Sequence, residues 1–186
     1  MPLFEKILQE DDIKKEIKLD VISLVGKIFY TIKKHFLVYY DFNINMLLSA
    51  CELSLSVSED DNDFEDYLQN LRFTLVSSFT LFFYGLEDCG QTSKIEPYIE
   101  KIFLFYSALI TNDVYDIRAD TLKGILGFVM DMISTIGRNI KHVINPAVLE
   151  KLLMRIKESK VQKLIEYAIE CEGVSLINKV KFINRI

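Results

Sequence analysis

Leu24-Val25-Gly26-Lys27-Ile28 returns in form as Ser78-Phe79-Thr80-Leu81-Phe82 and again as Ile125-Leu126-Gly127-Phe128-Val129. Aligned on their central small residues, at 26, 80 and 127, the three segments lie 54 and then 47 residues apart. A spacing of about 40–47 residues with two helices in each unit is the range of HEAT and armadillo arrays, in which no unit buries its apolar face alone. The longer first interval holds an acidic insertion, Glu59, Asp60, Asp61, Asp63, Glu65 and Asp66. A small residue at the middle of a helix lets a neighbouring helix come close, which offsets the propensity cost of glycine of about 1 kcal/mol.

Around these anchors the apolar residues follow helical spacing. Ile17, Val21, Leu24, Val25, Ile28 and Ile32 form one stripe and predict a first helix ending near His35. Ile44, Leu47, Leu48, Cys51 and Leu55 form a second, with Asn43 as its expected N-cap. Phe64, Leu68, Leu71, Leu75, Phe79, Phe82 and Leu86 form a third, and a break at Gly90-Gln91-Thr92-Ser93 leads to a helix with Pro97 in its first turn. That helix is striped by Ile95, Ile99, Ile102, Tyr106 and Leu109. Leu122, Leu126, Val129 and Ile133 form the next stripe, which breaks at Gly137 and resumes from Pro146 with Leu149, Leu152, Leu153 and Ile156. Residues 160–169 and 174–183 read as a last short pair. No strand-like alternation competes, so the fold predicted is all-α, a right-handed superhelical HEAT-type solenoid fragment. Its hairpins are expected at about 13–57, 63–110 and 116–158, with terminal helices over 160–186. Residues 1–10, with Leu3, Phe4, Ile7 and Leu8, read as the end of a repeat whose first helix is missing.

Composition excludes several kinds of chemistry. The 186 residues suffice for one continuous core, and 50% hydrophobic with 26% charged residues is a folded, soluble composition. Lys+Arg 22 against Asp+Glu 27 gives a net charge of −5, which disfavours nucleic acid and favours a basic partner. Cys51, Cys89 and Cys171 are scattered and match neither a disulfide framework nor zinc spacing, as expected in a reducing compartment. The first 20 residues alternate charged with apolar positions, unlike a signal peptide, and no run reaches the roughly 18 apolar residues of a membrane span. No metal or cofactor is expected: phosphate-loop, GxGxxG and HExxH motifs are missing, and Asp60 and Asp61 lack the spacing and turn glycine of a calcium loop. His35 and His142 have no cysteine nearby, so no catalytic residues and no enzyme activity are expected.

The stretch Asp66-Tyr67-Leu68-Gln69-Asn70-Leu71-Arg72, then Gly85-Leu86, then Ile95-Glu96-Pro97-Tyr98-Ile99-Glu100 resembles the C-terminal HEAT repeats of the importin beta (karyopherin beta) family. The likeness runs along the chain: residues 19–36 look like the next repeat upstream, 122–137 like the penultimate one, and 160–168 more loosely like the last. There the family often carries a tryptophan where this chain has Tyr167. The resemblance implies a nuclear import receptor shuttling between cytoplasm and nucleus. Its implied partners are the basic importin-beta-binding segment of an importin-alpha-type adaptor, FG-repeat nucleoporins and a Ran-type GTPase, the last mainly through repeats outside this stretch. A HEAT scaffold of another kind, such as another karyopherin, a phosphatase scaffold or a vesicle-coat adaptor subunit, is the alternative.

In such arrays the second helices line the concave face. Asn45, Ser49, Glu52 and Ser56 form a polar ridge beside the apolar stripe of one second helix, and Glu96, Glu100 and Ser107 form the ridge of the next. With Glu150 and Tyr167 further along, Asn45, Glu52, Glu96 and Glu100 are the expected contacts for a basic adaptor helix, which such a field would steer. The acidic run including Asp60, Asp61, Asp63 and Asp66 has two readings: a solvated helix start complementing the helix dipole, or a second contact for a basic partner. Grooves between first helices are expected to accept a phenylalanine of an FG repeat. Phe82 and Phe83, adjacent in sequence, are not both expected to be fully buried.

Overall fold

The computed structural model describes residues 14–56, 62–115, 117–137, 143–159 and 161–173. Every regular element among them is a helix, and none is long and apolar enough to cross a membrane. The chain divides into two compact units, Met1–Ile95 and Glu96–Ile186.

The first unit contains α1 (Lys15–Ile32), a 3-10 segment (Lys33–Tyr39), α2 (Tyr40–Ser54), α3 (Asn62–Asp88) and a short 3-10 turn (Thr92–Ile95). Helices α1 and α3 pack along each other, and both contact the 3-10 segment that leads into α2. Gly26 sets the closest approach: a Cβ there would stand 3.2 Å from the Ser78 Cα, and the Ser78 hydroxyl donates to the Ile22 carbonyl at 3.3 Å. Gly85 does the same one layer along, where a Cβ would meet the Phe29 ring at 3.3 Å. Phe29 is the hub of an aromatic cluster, with ring centroids 4.8 Å from Phe82, 5.0 Å from Phe36 and 5.7 Å from Tyr40. Such pairs contribute about 0.5–1.5 kcal/mol each beyond area burial.

This geometry corrects four expectations. The buried face of α1 is Val21, Ile22, Val25, Gly26 and Phe29, whereas Ile17, Leu24 and Ile32 are exposed. The close contact at Gly26 and the aromatic cluster at Phe29 turn the helix away from its most regular stripe. Asn43 is not an N-cap, because the 3-10 segment runs straight into α2 at Tyr40 and leaves Asn43 buried inside the helix. Phe82 and Phe83 are both fully buried, since α3 is covered by both α1 and α2. Helix α1 itself ends at Ile32 rather than near His35, where Lys33 takes φ +49° and its ammonium pairs with Asp88 at 2.8 Å.

Two buried or positive-φ devices close the helices of this unit. Arg72, with no exposed surface, donates from Nε to the carbonyl of Ser54 at 2.9 Å and from Nη2 to that of Ser56 at 3.2 Å, closing the C-terminus of α2. Its Nη1 pairs with the Glu65 carboxylate at 2.8 Å. Helix α3 ends in a Schellman turn at Gly90 (φ +64°), with Gly90 N–H on Glu87 and Gln91 N–H on Leu86.

The second unit contains α4 (Glu96–Thr111), α5 (Ala119–Thr135), α6 (Pro146–Glu158) and α7 (Gln162–Gly173). Helix α6 packs on α4, α5 and α7, and α5 also packs on α7. The stripes Leu122, Leu126, Val129, Ile133 and Leu149, Leu152, Leu153, Ile156 are buried, with Tyr106 edge-on to Phe128 at 5.6 Å. Gly137, at φ +62°, follows the end of α5. Asn145 caps α6 by accepting the Ala147 N–H at 2.9 Å, ahead of Pro146 in the first turn. From α6, Arg155 donates to the carbonyls of Leu109, Asn112 and Tyr115, and Lys151 to that of Thr111. Two cations thus close the negative end of α4. The expected features at 1–10 and 174–186 lie outside the described residues.

Candidate protein-binding surface

In the first unit, Asn45, Ser49 and Glu52 stand exposed on α2, with Ser56 half-buried just beyond its end. Asn45 donates to the Asp41 carbonyl at 2.7 Å and Ser49 to that of Asn45 at 3.1 Å, so these side chains are partly turned back onto their own helix. Glu52 carries the charge of this ridge. Phe42 and Leu53 are exposed on the same helix, 43% and 46%, and give it an apolar component that reading by polarity alone passed over.

Of the acidic run, Asp60 and Asp61 lie outside the described residues. Asp63 and Asp66 are exposed in the first turns of α3, where a carboxylate complements the helix dipole. Glu65 is committed to Arg72 and also accepts from Gln69 at 3.1 Å. The Lys15 ammonium lies 4.4 Å from the Phe64 ring centroid, and Arg72 offsets the Glu65 charge of the run.

In the second unit, Glu96 and Glu100 are exposed one turn apart on α4. Glu100 stands on the wall of a groove of about 270 Å³. Phe103, Leu104, Ser107 and Ile110 of α4 form one side, Val143, Ile144, Asn145, Val148 and Leu149 the other, and Ile125 and Val129 of α5 the floor. Leu104 is 63% exposed, an unusual position for a leucine beside a concavity. Glu150 is exposed on α6, one residue past the groove-lining Leu149. Tyr167 is elsewhere: it is half-buried on α7 with its hydroxyl against Gly127 of α5 (3.4 Å from the position of a Cβ), and the Lys123 ammonium lies 5.4 Å from its ring centroid. Its role in the structure is to pack α7 on α5.

The structure therefore brings Glu96, Glu100 and the groove together within one unit, and places Asn45 and Glu52 on α2 of the other. The groove was hidden from sequence reading because its two sides, α4 and α6, are separated by a whole helix. The nearest signal was Leu104, apolar yet off the stripe of Ile99, Ile102, Tyr106 and Leu109.

Paired helices with small residues at the crossings define a helical-repeat scaffold. Residues 1–157 match the family of importin subunit beta-1-like repeats, described as TPR repeats, and the chain belongs to that family. Over 166 residues it is 25% identical to importin subunit beta-1 of Arabidopsis thaliana, covering 89% of this chain and 19% of that protein. The chain thus spans about a fifth of the length of that relative.

Proposed function

We propose that the chain is a protein-binding section of a nuclear import receptor, carrying cargo through the nuclear pore directly or by way of an importin-alpha-type adaptor with a basic helix. The observation that carries this reading is the pairing of Glu96 and Glu100 with the groove beside them: a basic amphipathic helix would place lysine or arginine on the carboxylates and an apolar residue against Leu104. Glu150 on α6 would extend the same acidic field, and Glu52 on α2 of the first unit would offer a separate acidic contact. FG-repeat nucleoporins are the second class of partner. The exposed Tyr30 and half-buried Tyr84, on α1 and α3 with ring centroids 6.5 Å apart, offer an aromatic surface for them. A Ran-type GTPase would engage mainly other repeats, and the receptor would shuttle between cytoplasm and nucleus.

The test is an import assay in permeabilised cells with a receptor carrying this section. Glu96→Lys/Glu100→Lys is expected to lower nuclear accumulation of an adaptor-borne fluorescent cargo several-fold at unchanged helix content. Accumulation equal to that of the unaltered receptor would contradict the assignment.

A further inference from the structure

The second unit also carries a basic cleft, against the sign of the chain as a whole. Arg118 and Val161 directly precede α5 and α7, and with Ala119, Asp120, Lys123 and Lys163 they line a cleft of about 480 Å³. Three of the six are cations and one is a carboxylate, in a chain of net charge −5. The carboxylate is already engaged: Asp120 Oδ2 accepts from Arg118 Nη2 at 2.6 Å, and its Oδ1 from the Thr121 N–H at 2.8 Å. Lys123 and Lys163 are exposed and join none of the ion pairs among the described residues. Helix stability does not account for Lys163, which stands in the first turn of α7, where the helix dipole disfavours a cation. Lys123 is held over the Tyr167 ring, 5.4 Å from its centroid, and the packing of Tyr167 against Gly127 fixes α7 on α5 and with it both walls.

We propose that this cleft binds an acidic segment of a partner protein, its carboxylates on Lys123 and Lys163 within the field of Arg118 and an apolar side chain against Val161. Charge decides the sign of the occupant, since three cations face a single carboxylate that is already bonded. Size decides that it is a segment rather than one small ion: about 480 Å³ is some three times the ~150 Å³ of a cavity that takes one benzene. The apolar contact is offered by Val161, 43% exposed, beside the half-buried Ala119. The extent of the basic field favours a short acidic peptide over a nucleic acid. Asp120 lies within the cleft and Glu166 is exposed one turn along α7 from Lys163, so a phosphate backbone running past the three cations would meet like charge. Because the walls are fixed by α5–α7 packing and Lys123 rests on a ring, little ordering of this side is needed on binding.

The cleft does not rest on the functional reading above, which concerns a partner of the opposite charge. No residue lines both the cleft and the groove beside Glu100, so occupants of the two do not compete for the same side chains.

The test titrates a fluorescein-labelled peptide of aspartates and glutamates around one leucine into the full chain, read by anisotropy and by amide chemical shifts. Shifts are expected over residues 118–123 and 161–167. Lys123→Glu/Lys163→Glu, at unchanged helix content, should weaken the peptide about tenfold, less at high salt. The milder Lys123→Gln/Lys163→Gln and the apolar truncation Val161→Ser should each weaken it about threefold. Glu96→Lys/Glu100→Lys should leave its affinity within about twofold, because those carboxylates lie outside the cleft. Absence of binding at millimolar peptide, affinity equal across the lysine variants, or shifts confined to other residues would overturn the proposal. Inorganic phosphate or phosphatidylserine vesicles shifting the same amides while the peptide does not would overturn the assignment to a protein partner.

Discussion

Replacing Arg72 by methionine keeps the apolar stem and removes a guanidinium that has no exposed surface. Two of its contacts are charge-assisted bonds to the carbonyls of Ser54 and Ser56, at 2.9 and 3.2 Å, groups at the end of α2 that α3 would otherwise leave without a donor. Such bonds contribute about 1.5–3 kcal/mol each, and the low end applies to Ser56, which is half-buried and open to water. The third contact, to Glu65 at 2.8 Å, is discounted because the Glu65 side chain is 36% exposed and can rehydrate; about 0.5 kcal/mol is its share. The expected cost of Arg72→Met is therefore about 3.5–5 kcal/mol. Lysine in its place retains charge but cannot span three acceptors, and is expected to lose about half as much. Glu65→Gln, which keeps an acceptor, should cost under ~1 kcal/mol. Urea unfolding followed by near-ultraviolet circular dichroism of the Phe29–Phe36–Tyr40–Phe82 cluster measures all three. Arg72→Met within ~1 kcal/mol of the unaltered protein, or equal to Glu65→Gln, would refute a capping arginine.

Other expectations follow from single contacts. Asn145→Ala removes the α6 cap and should cost ~1 kcal/mol, read as a shift in urea midpoint; no shift would show the cap to be dispensable. The Lys151 ammonium holds the Asp113 carboxyl below its usual value, so this pair stabilises above the unfolded pKa of about 3.8 and its contribution is lost as pH falls through the lower folded value. Asp113→Asn should therefore flatten the stability curve in that acid window and leave its shape unchanged near pH 10. Cys51 is 5% exposed, its thiol is pushed up by burial, and it donates to the Leu47 carbonyl; iodoacetamide at pH 8 should label the half-buried Cys89 well before Cys51. Rapid labelling of Cys51 would contradict its buried placement.

The helices with strong, one-sided periodicity were legible in the sequence: Leu68, Leu71, Leu75, Phe79, Phe82 and Leu86 are all buried as their spacing predicts. Helix α1 was not, because it is apolar around more than half its circumference. Val21 and Val25 belong to either of two adjacent faces, and the choice is made by Gly26 against Ser78 and Phe29 against Phe82. Arg72 and Arg155 were equally hidden, since their carbonyl acceptors lie 16 to 46 residues away. Among the surface residues, Glu96 and Glu100 were visible as a polar ridge, while the groove beside them exists only once α6 packs on α4. Tyr167 reads as a partner contact from the family resemblance, and the structure places it half-buried on α7 against Gly127 and near Lys123 of α5.

The central claim, that the acidic positions Glu96, Glu100 and Glu150 of the second unit hold a basic partner helix, is tested most directly by titrating a fluorescent Lys/Arg-rich adaptor peptide into the chain and into Glu96→Lys/Glu100→Lys/Glu150→Lys at two salt concentrations. Exposed pairs contribute ~0.2–1 kcal/mol each, so reversing three of them should weaken binding by about 2–4 kcal/mol at low salt. The difference should shrink once the screening length falls below ~10 Å. Equal affinities for the two proteins, or a difference independent of salt, would contradict the claim.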